Sequence, residues 1–285
     1  MVRPASVGPR VRSPASATYS GHVVTPLPEI AGHDDVEEAL AFAGALVSRL
    51  GEVATQRQNT AVEQRKPASA LTGSVVTDVD LDLEQAIDDA LRERFPADGL
   101  LGEEGADRPP ADPRRGRTWL VDPIDGTLNY ARRLGPWAVV VSAWRDRQVE
   151  SVAVWTGGAL YTAAAGRGAT LDGRRLRLGP EVEQGGIVRA EASLLPAVQR
   201  AGWLPKIVES SASEIVSIAD GRVMGTVRLG GNPRDLHAPA LLVSEAGGAV
   251  VSLDGAQVDG ATRGLVVAHP DIVEELLTFA TAEQP

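Results

Sequence analysis

WLVDPIDGTLNY, from Trp119 to Tyr130, sets an apolar run against two aspartates, Asp122 and Asp125, with Pro123 between them. Two neighbouring carboxylates that both stay charged are costly unless a cation neutralises them. Hard cations such as Mg²⁺ take oxygen ligands, a few carboxylates supplemented by water and phosphate. Pro123 stiffens the backbone between the two acids, so the Ile124 carbonyl could join as a neutral ligand. Gly126-Thr127 then opens a turn whose free N–H groups could hold a phosphate oxygen. Taken alone, Asp-Pro-x-Asp-Gly also reads as an ordinary turn.

The same arrangement recurs on either side. Asp80 lies where a short extended piece, Ser74 to Thr77, hands over to a helix; Glu103 and Glu104 follow the apolar Leu100-Leu101. Asp235 opens a helix after Gly230-Gly231-Asn232-Pro233. Singly, the glutamates read as a solvated pair and the aspartates as helix caps. Together they repeat one pattern, an acid at the end of an apolar element, where side chains converge in sheet proteins.

Periodicity supplies the frame. Val36 to Leu50 and Asp80 to Phe95 carry helical spacing, and so do Ser211–Asp220, Asp235–Ala246 and Pro270–Thr281. Leu100-Leu101, Trp119 to Val121, Ala138–Trp144, Val149–Trp155, Ala159–Ala164, Gly186–Ala190, Val223–Leu229 and Ala249–Leu253 read as strands. The mixture predicts a layered α/β or α+β protein. We expect a flexible tail over residues 1–27, rich in Pro, Ser, Ala and Gly and free of acids, then subdomains over 28–145 and 146–285.

Composition narrows the function. The chain has 285 residues, ample for a core, and a net charge of −10, which argues against binding nucleic acid through bulk electrostatics. With no cysteine, disulfides, thiolate metal ligands and cysteine nucleophiles are excluded, and a reducing cytoplasm fits. No apolar run has the length of a membrane span.

VVTDVD (Val75–Asp80), LGEEG (Leu101–Gly105), WLVDPIDGTLNY and RDLHAPALLVSEAGG (Arg234–Gly248) resemble, in order and spacing, the inositol monophosphatase family. The resemblance implies an αβαβα sandwich and a Mg²⁺-dependent, lithium-sensitive phosphatase with two or three metal ions per site, Mn²⁺ substituting. It implies that Glu103, Asp122 and the Ile124 carbonyl hold the first ion, and Asp122, Asp125 and Asp235 the second. Glu103 and Asp80 would hold a third. Thr127, with Glu103 or Asp80, would activate the attacking water, and the N–H groups of Gly126 and Thr127 would bind phosphate. Lys66 is matched to a basic residue upstream of the family's VT-x-x-D element. The partner implied is a small phosphorylated metabolite, with no nucleic acid and no membrane, and a homodimer is the expected assembly.

The substrate side departs from the family. Arg234-Asp235 stands where many members have Trp-Asp, and His237-Ala238-Pro239 where they have Ala-Ala-Gly. Pro239 is read in a first helical turn, where a missing N–H is harmless. The family's Gly-Thr-Ala segment is matched by Glu209-Ser210-Ser211, which makes Ser210 and Ser211 substrate-side residues, and its hydroxyl-binding glutamate is replaced by Arg228. An arginine there suggests a leaving group with a second anion. The leading expectation is hydrolysis of an inositol, sugar or related polyol phosphate. The alternatives are a substrate with a second anionic group (a 3′-phosphonucleotide, sugar bisphosphate, nucleotide or histidinol phosphate) and a non-catalytic, ligand-binding member.

Overall fold

The structure is a computed structural model that describes residues 35–65 and 75–281. The expected tail and Lys66 lie outside the described residues.

Apolar residues at helical spacing draw α1 (Asp35–Arg57) onto the core through Phe42, Leu46, Val47 and Leu50. A short antiparallel pair, β1 (Glu63–Arg65) and β2 (Val75–Thr77), leads into α2 (Asp78–Arg94). Thr77, not Asp80, is the N-cap. Asp80 is the third helical residue, and its carboxylate answers the Thr77 N–H in a capping box.

Seven strands then form one sheet in chain order: β3 (Gly99–Leu101), β4 (Thr118–Asp125), β5 (Ala138–Arg145), β6 (Gln148–Thr156), β7 (Ala159–Ala164), β8 (Gly168–Leu171) and β9 (Arg174–Arg175). Only the β3–β4 pair is parallel. Between β4 and β5 lies α3 (Thr127–Arg132). The expected boundary at residue 145 falls in the tight turn between paired β5 and β6, so the sheet runs straight across it. The chain passes to its second sheet only after Arg175.

That sheet has the order β11-β10-β12-β14-β13, from β10 (Ile187–Ala190), β11 (Leu204–Lys206), β12 (Gly225–Arg228), β13 (Ala249–Ser252) and β14 (Leu265–Ala268). Around it lie α4 (Leu195–Arg200), α5 (Ser211–Ala219), α6 (Pro233–Glu245) and α7 (Val273–Thr281). Helices α1 and α2 cover the outer face of the first sheet, α5 and α6 lie between the sheets, and α4 and α7 cover the far face of the second. Three apolar clusters fill the interfaces between these five layers. The αβαβα sandwich is thus the observed architecture. Among the described residues, no helix is long and apolar enough to cross a membrane.

Candidate active site

Strand β4 carries the first acids to the end of its sheet. Asp122 pairs with Val140 and Asp125 with Ala138, so β4 spends an extra residue there and bulges at Pro123-Ile124. Pro123 has no N–H to give the ladder, which is why the irregularity sits at that point. The bulge frees the Ile124 carbonyl, which accepts the Thr127 hydroxyl at 3.0 Å. The same hydroxyl lies 3.2 Å from Asp80 Oδ1, so one threonine ties the end of β4 to the start of α2. The expected turn at Gly126-Thr127 opens into α3, with Gly126 as N-cap at φ 89°. A Cβ on Gly126 would stand 2.8 Å from the Glu209 carbonyl and 2.9 Å from the Ser210 Cβ. Glycine permits both the backbone angle and this close approach.

Asp125 is held by a partner remote in sequence. Its Oδ2 accepts Ser210 Oγ at 2.6 Å and the Ala212 N–H at 2.7 Å, and its Oδ1 accepts the Ser211 N–H at 3.2 Å. The carboxylate therefore sits on the positive end of α5. Ser210 and Ser211, expected on the substrate side, are here the fasteners of Asp125; Ser210 also caps α5 by accepting the Ser213 N–H.

The Glu103-Glu104 loop is anchored by a residue the sequence reading missed. Glu84, on α2 and 3% exposed, accepts the Glu104 N–H and the Ala106 N–H, each at 2.8 Å. Its carboxylate lies so close to Gly102 that a Cβ there would meet it at 2.6 Å. Glu84 occupies a buried position on an amphipathic helix, and a charged residue on an apolar stripe was the available signal.

Asp235 lies in the first turn of α6, whose N-cap is Asn232. Because α6 begins at Pro233, Pro239 stands in the helix interior and not in the first turn. Its missing N–H leaves the Asp235 carbonyl without its usual intrahelical donor. Arg234 reaches the Val121 carbonyl at 3.4 Å and lies 3.9 Å from Asp235.

Electrostatics show that these acids share one space. Burial, then the charges of Glu103, Asp125 and Asp235, push Asp122 well above the usual carboxylate range. Asp235 is pushed up to about 8 by burial and by Asp125 and Glu103, against the opposing pull of Arg234 and Arg228. Burial raises Asp125 too, opposed by its bonds to Ser210, Ala212 and Ser211. Asp80 is raised to about 6 by burial, offset by Thr77 and Thr127.

As the side chains stand, no three His, Asp or Glu groups among the described residues are gathered tightly enough to hold a metal ion. The donor set nevertheless suits a hard cation. Every donor is oxygen, and Asp122 Oδ1 and Asp235 Oδ1 are buried without a hydrogen-bond partner. Such a cation would remove the mutual repulsion that raises these acids.

Beside Asp125 a pocket of about 410 Å³ is lined by Glu191, Glu209, Ser210, Ser211, Glu214 and Arg228, among others. Arg228, at the end of β12, lies 3.9 Å from the buried Glu214 of α5. The arginine noticed in the sequence thus faces an acid of its own chain.

The family model of the inositol monophosphatase family matches residues 35–284. The chain belongs to this family. A Nus factor SuhB of Salmonella typhimurium is 30% identical over 255 residues, covering 84% of this chain and 94% of that one. Human inositol monophosphatase 2 is 29% identical over 241 residues, covering 78% and 83%. In fold, the Thermotoga maritima IMPase superposes with a TM-score of 0.77 at 22% identity, over 86% of this chain and 97% of that one. The family's architecture is therefore shared while most side chains differ.

Proposed function

We propose that the protein is a Mg²⁺-dependent phosphoric monoester hydrolase acting on a small phosphate ester, an inositol, sugar or related polyol phosphate. The observation that carries this reading is that Glu103 acts on all four of the raised acids Asp80, Asp122, Asp125 and Asp235, with Thr127 bonded to Asp80. Glu103, Asp122 and the Ile124 carbonyl would hold one ion; Asp122, Asp125 and Asp235 would hold a second; Glu103 and Asp80 a third. Bound Mg²⁺, or Mn²⁺ in its place, supplies a lowered water pKa and positive charge for the phosphate oxygens.

The rest falls to the chain. Thr127 Oγ1 has one proton and two acceptors, Asp80 and the Ile124 carbonyl. Whichever it serves, a lone pair remains to accept a hydrogen bond from the attacking water and orient it. The N–H groups of Gly126 and Thr127 are free of the helix ladder and would receive the phosphate oxygens. Asp125, locked onto α5, keeps its position when phosphate enters and leaves, which preserves the geometry an in-line displacement needs. The net charge of −10 suits a small-molecule substrate better than a nucleic acid, and the absence of cysteine fits a reducing cytoplasm.

Phosphate release from an aryl phosphate tests the reading. Activity is expected to vanish on chelation and return with Mg²⁺, and Asp122→Asn is expected to abolish most of it. Near wild-type turnover in that variant would show the metal assignment to be wrong.

A further inference from the structure

The pocket beside Asp125 presents a guanidinium, that of Arg228 at the end of β12. A carboxylate stands beside it. Glu214, from the first turn of α5, is 2% exposed and lines the same pocket. Its Oε1 accepts the Thr226 hydroxyl and lies 3.9 Å from Arg228 Nη1, while among the described residues its Oε2 accepts no hydrogen bond. Thr226 and Arg228 stand two residues apart on β12, so their side chains share the sheet face on which α5 packs. Among the described residues the Arg228 guanidinium donates no hydrogen bond, and its Nε is buried without a partner. A free acceptor and free donors therefore stand side by side, and their charges cancel.

We infer that Glu214 and Arg228 together read the alcohol half of the substrate, Glu214 accepting from one hydroxyl and Arg228 donating to its neighbour. This inference rests on the phosphatase reading and adds to it a specificity-determining pair. It also reverses the expectation raised by Arg228 alone. A leaving group with a second anion would meet Glu191, Glu209 and Glu214 against one lining guanidinium, Arg228, which Glu214 already offsets; the half-buried Arg189 also attracts Glu214. An isolated hydroxyl-bearing alcohol meets no such repulsion, and it satisfies both partners.

The test compares kcat/KM for four esters with Mg²⁺: myo-inositol 1-phosphate, a sugar bisphosphate, histidinol phosphate and an aryl phosphate that offers the pair no hydroxyl. The wild type is expected to prefer the inositol ester over the bisphosphate and the amino alcohol. In Glu214→Gln the ratio of inositol ester to aryl ester is expected to fall about tenfold or more, the effect of losing a hydrogen bond to a charged acceptor. Arg228→Gln, at a half-buried site, is expected to shift the ratio the same way and covers the case in which Glu214→Gln folds poorly. Preference for the bisphosphate or for histidinol phosphate, or an unchanged ratio in both variants, overturns the inference while leaving the phosphatase reading intact. Failure to hydrolyse any of the four esters overturns both.

Discussion

Replacing Asp80 by Asn is expected to move stability and activity in opposite directions. Asp80 is 1% exposed, and its pKa rises from 3.8 to about 6 chiefly through burial. The folded protein thus holds this proton more tightly than the unfolded chain does. Stability contributed by the protonated acid is present at low pH and is lost as pH rises through about 6. With these two values the cost is about 1 kcal/mol near pH 4.5 and ~3 kcal/mol near pH 7.5. Asn is neutral throughout and keeps the cap, since its Oδ1 can accept the Thr77 N–H that Asp80 Oδ2 accepts at 2.9 Å. The stability difference, variant minus wild type, should therefore grow by ~2 kcal/mol between those pH values. Urea unfolding in a chelator, at several pH values, measures it. The Asn amide N–H would meanwhile donate to Thr127 Oγ1 and occupy the lone pair assigned to the water, lowering kcat by ~100-fold. A variant less stable than wild type at pH 7.5, or a difference flat with pH, would refute the desolvation argument for Asp80.

Glu84→Ala removes the acceptor for the Glu104 and Ala106 N–H groups, so a loss of ~2–4 kcal/mol in urea unfolding is expected. Calorimetry should show weaker Mg²⁺ binding in the same variant, because Glu103 rides on that loop. Gly126→Ala forces an L residue to φ 89° with a Cβ 2.8 Å from the Glu209 carbonyl. It is expected to cost ~1–3 kcal/mol and to lower turnover by displacing Ser210 from Asp125, with both readouts taken on one preparation. Saturating Mg²⁺ should raise the Tm of the wild type by relieving the repulsion among Asp122, Asp125 and Asp235; in Asp122→Asn that rise should shrink.

The long elements were readable because burial imposes a period on them. Phe42, Leu46, Val47 and Leu50 mark α1, and the alternating and continuous apolar runs of β5, β6 and β7 mark the middle of the first sheet. Short pieces such as β1, β9, β11 and α4 hold two to six residues, too few for a period to emerge. The six-residue α3 was hidden for a related reason: Gly126 announces a turn, and only packing carries it on as a helix.

At the site, the chain alone determined which acids end apolar elements and that their donor chemistry is oxygen. Through-space partners were another matter. Asp125 meets Ser210 and Ala212, 85 and 87 residues away, and Glu84 meets Glu104, 20 residues away. The pairing of Arg228 with Glu214 depends on α5 packing across the β12 face. Side-chain type sets what a residue can bond to, but the layering of helices on sheets sets what lies within reach. That is why the metal-ligand candidates were visible in the sequence, while the fastening of Asp125 and the neutralisation of Arg228 were decided only by the tertiary structure.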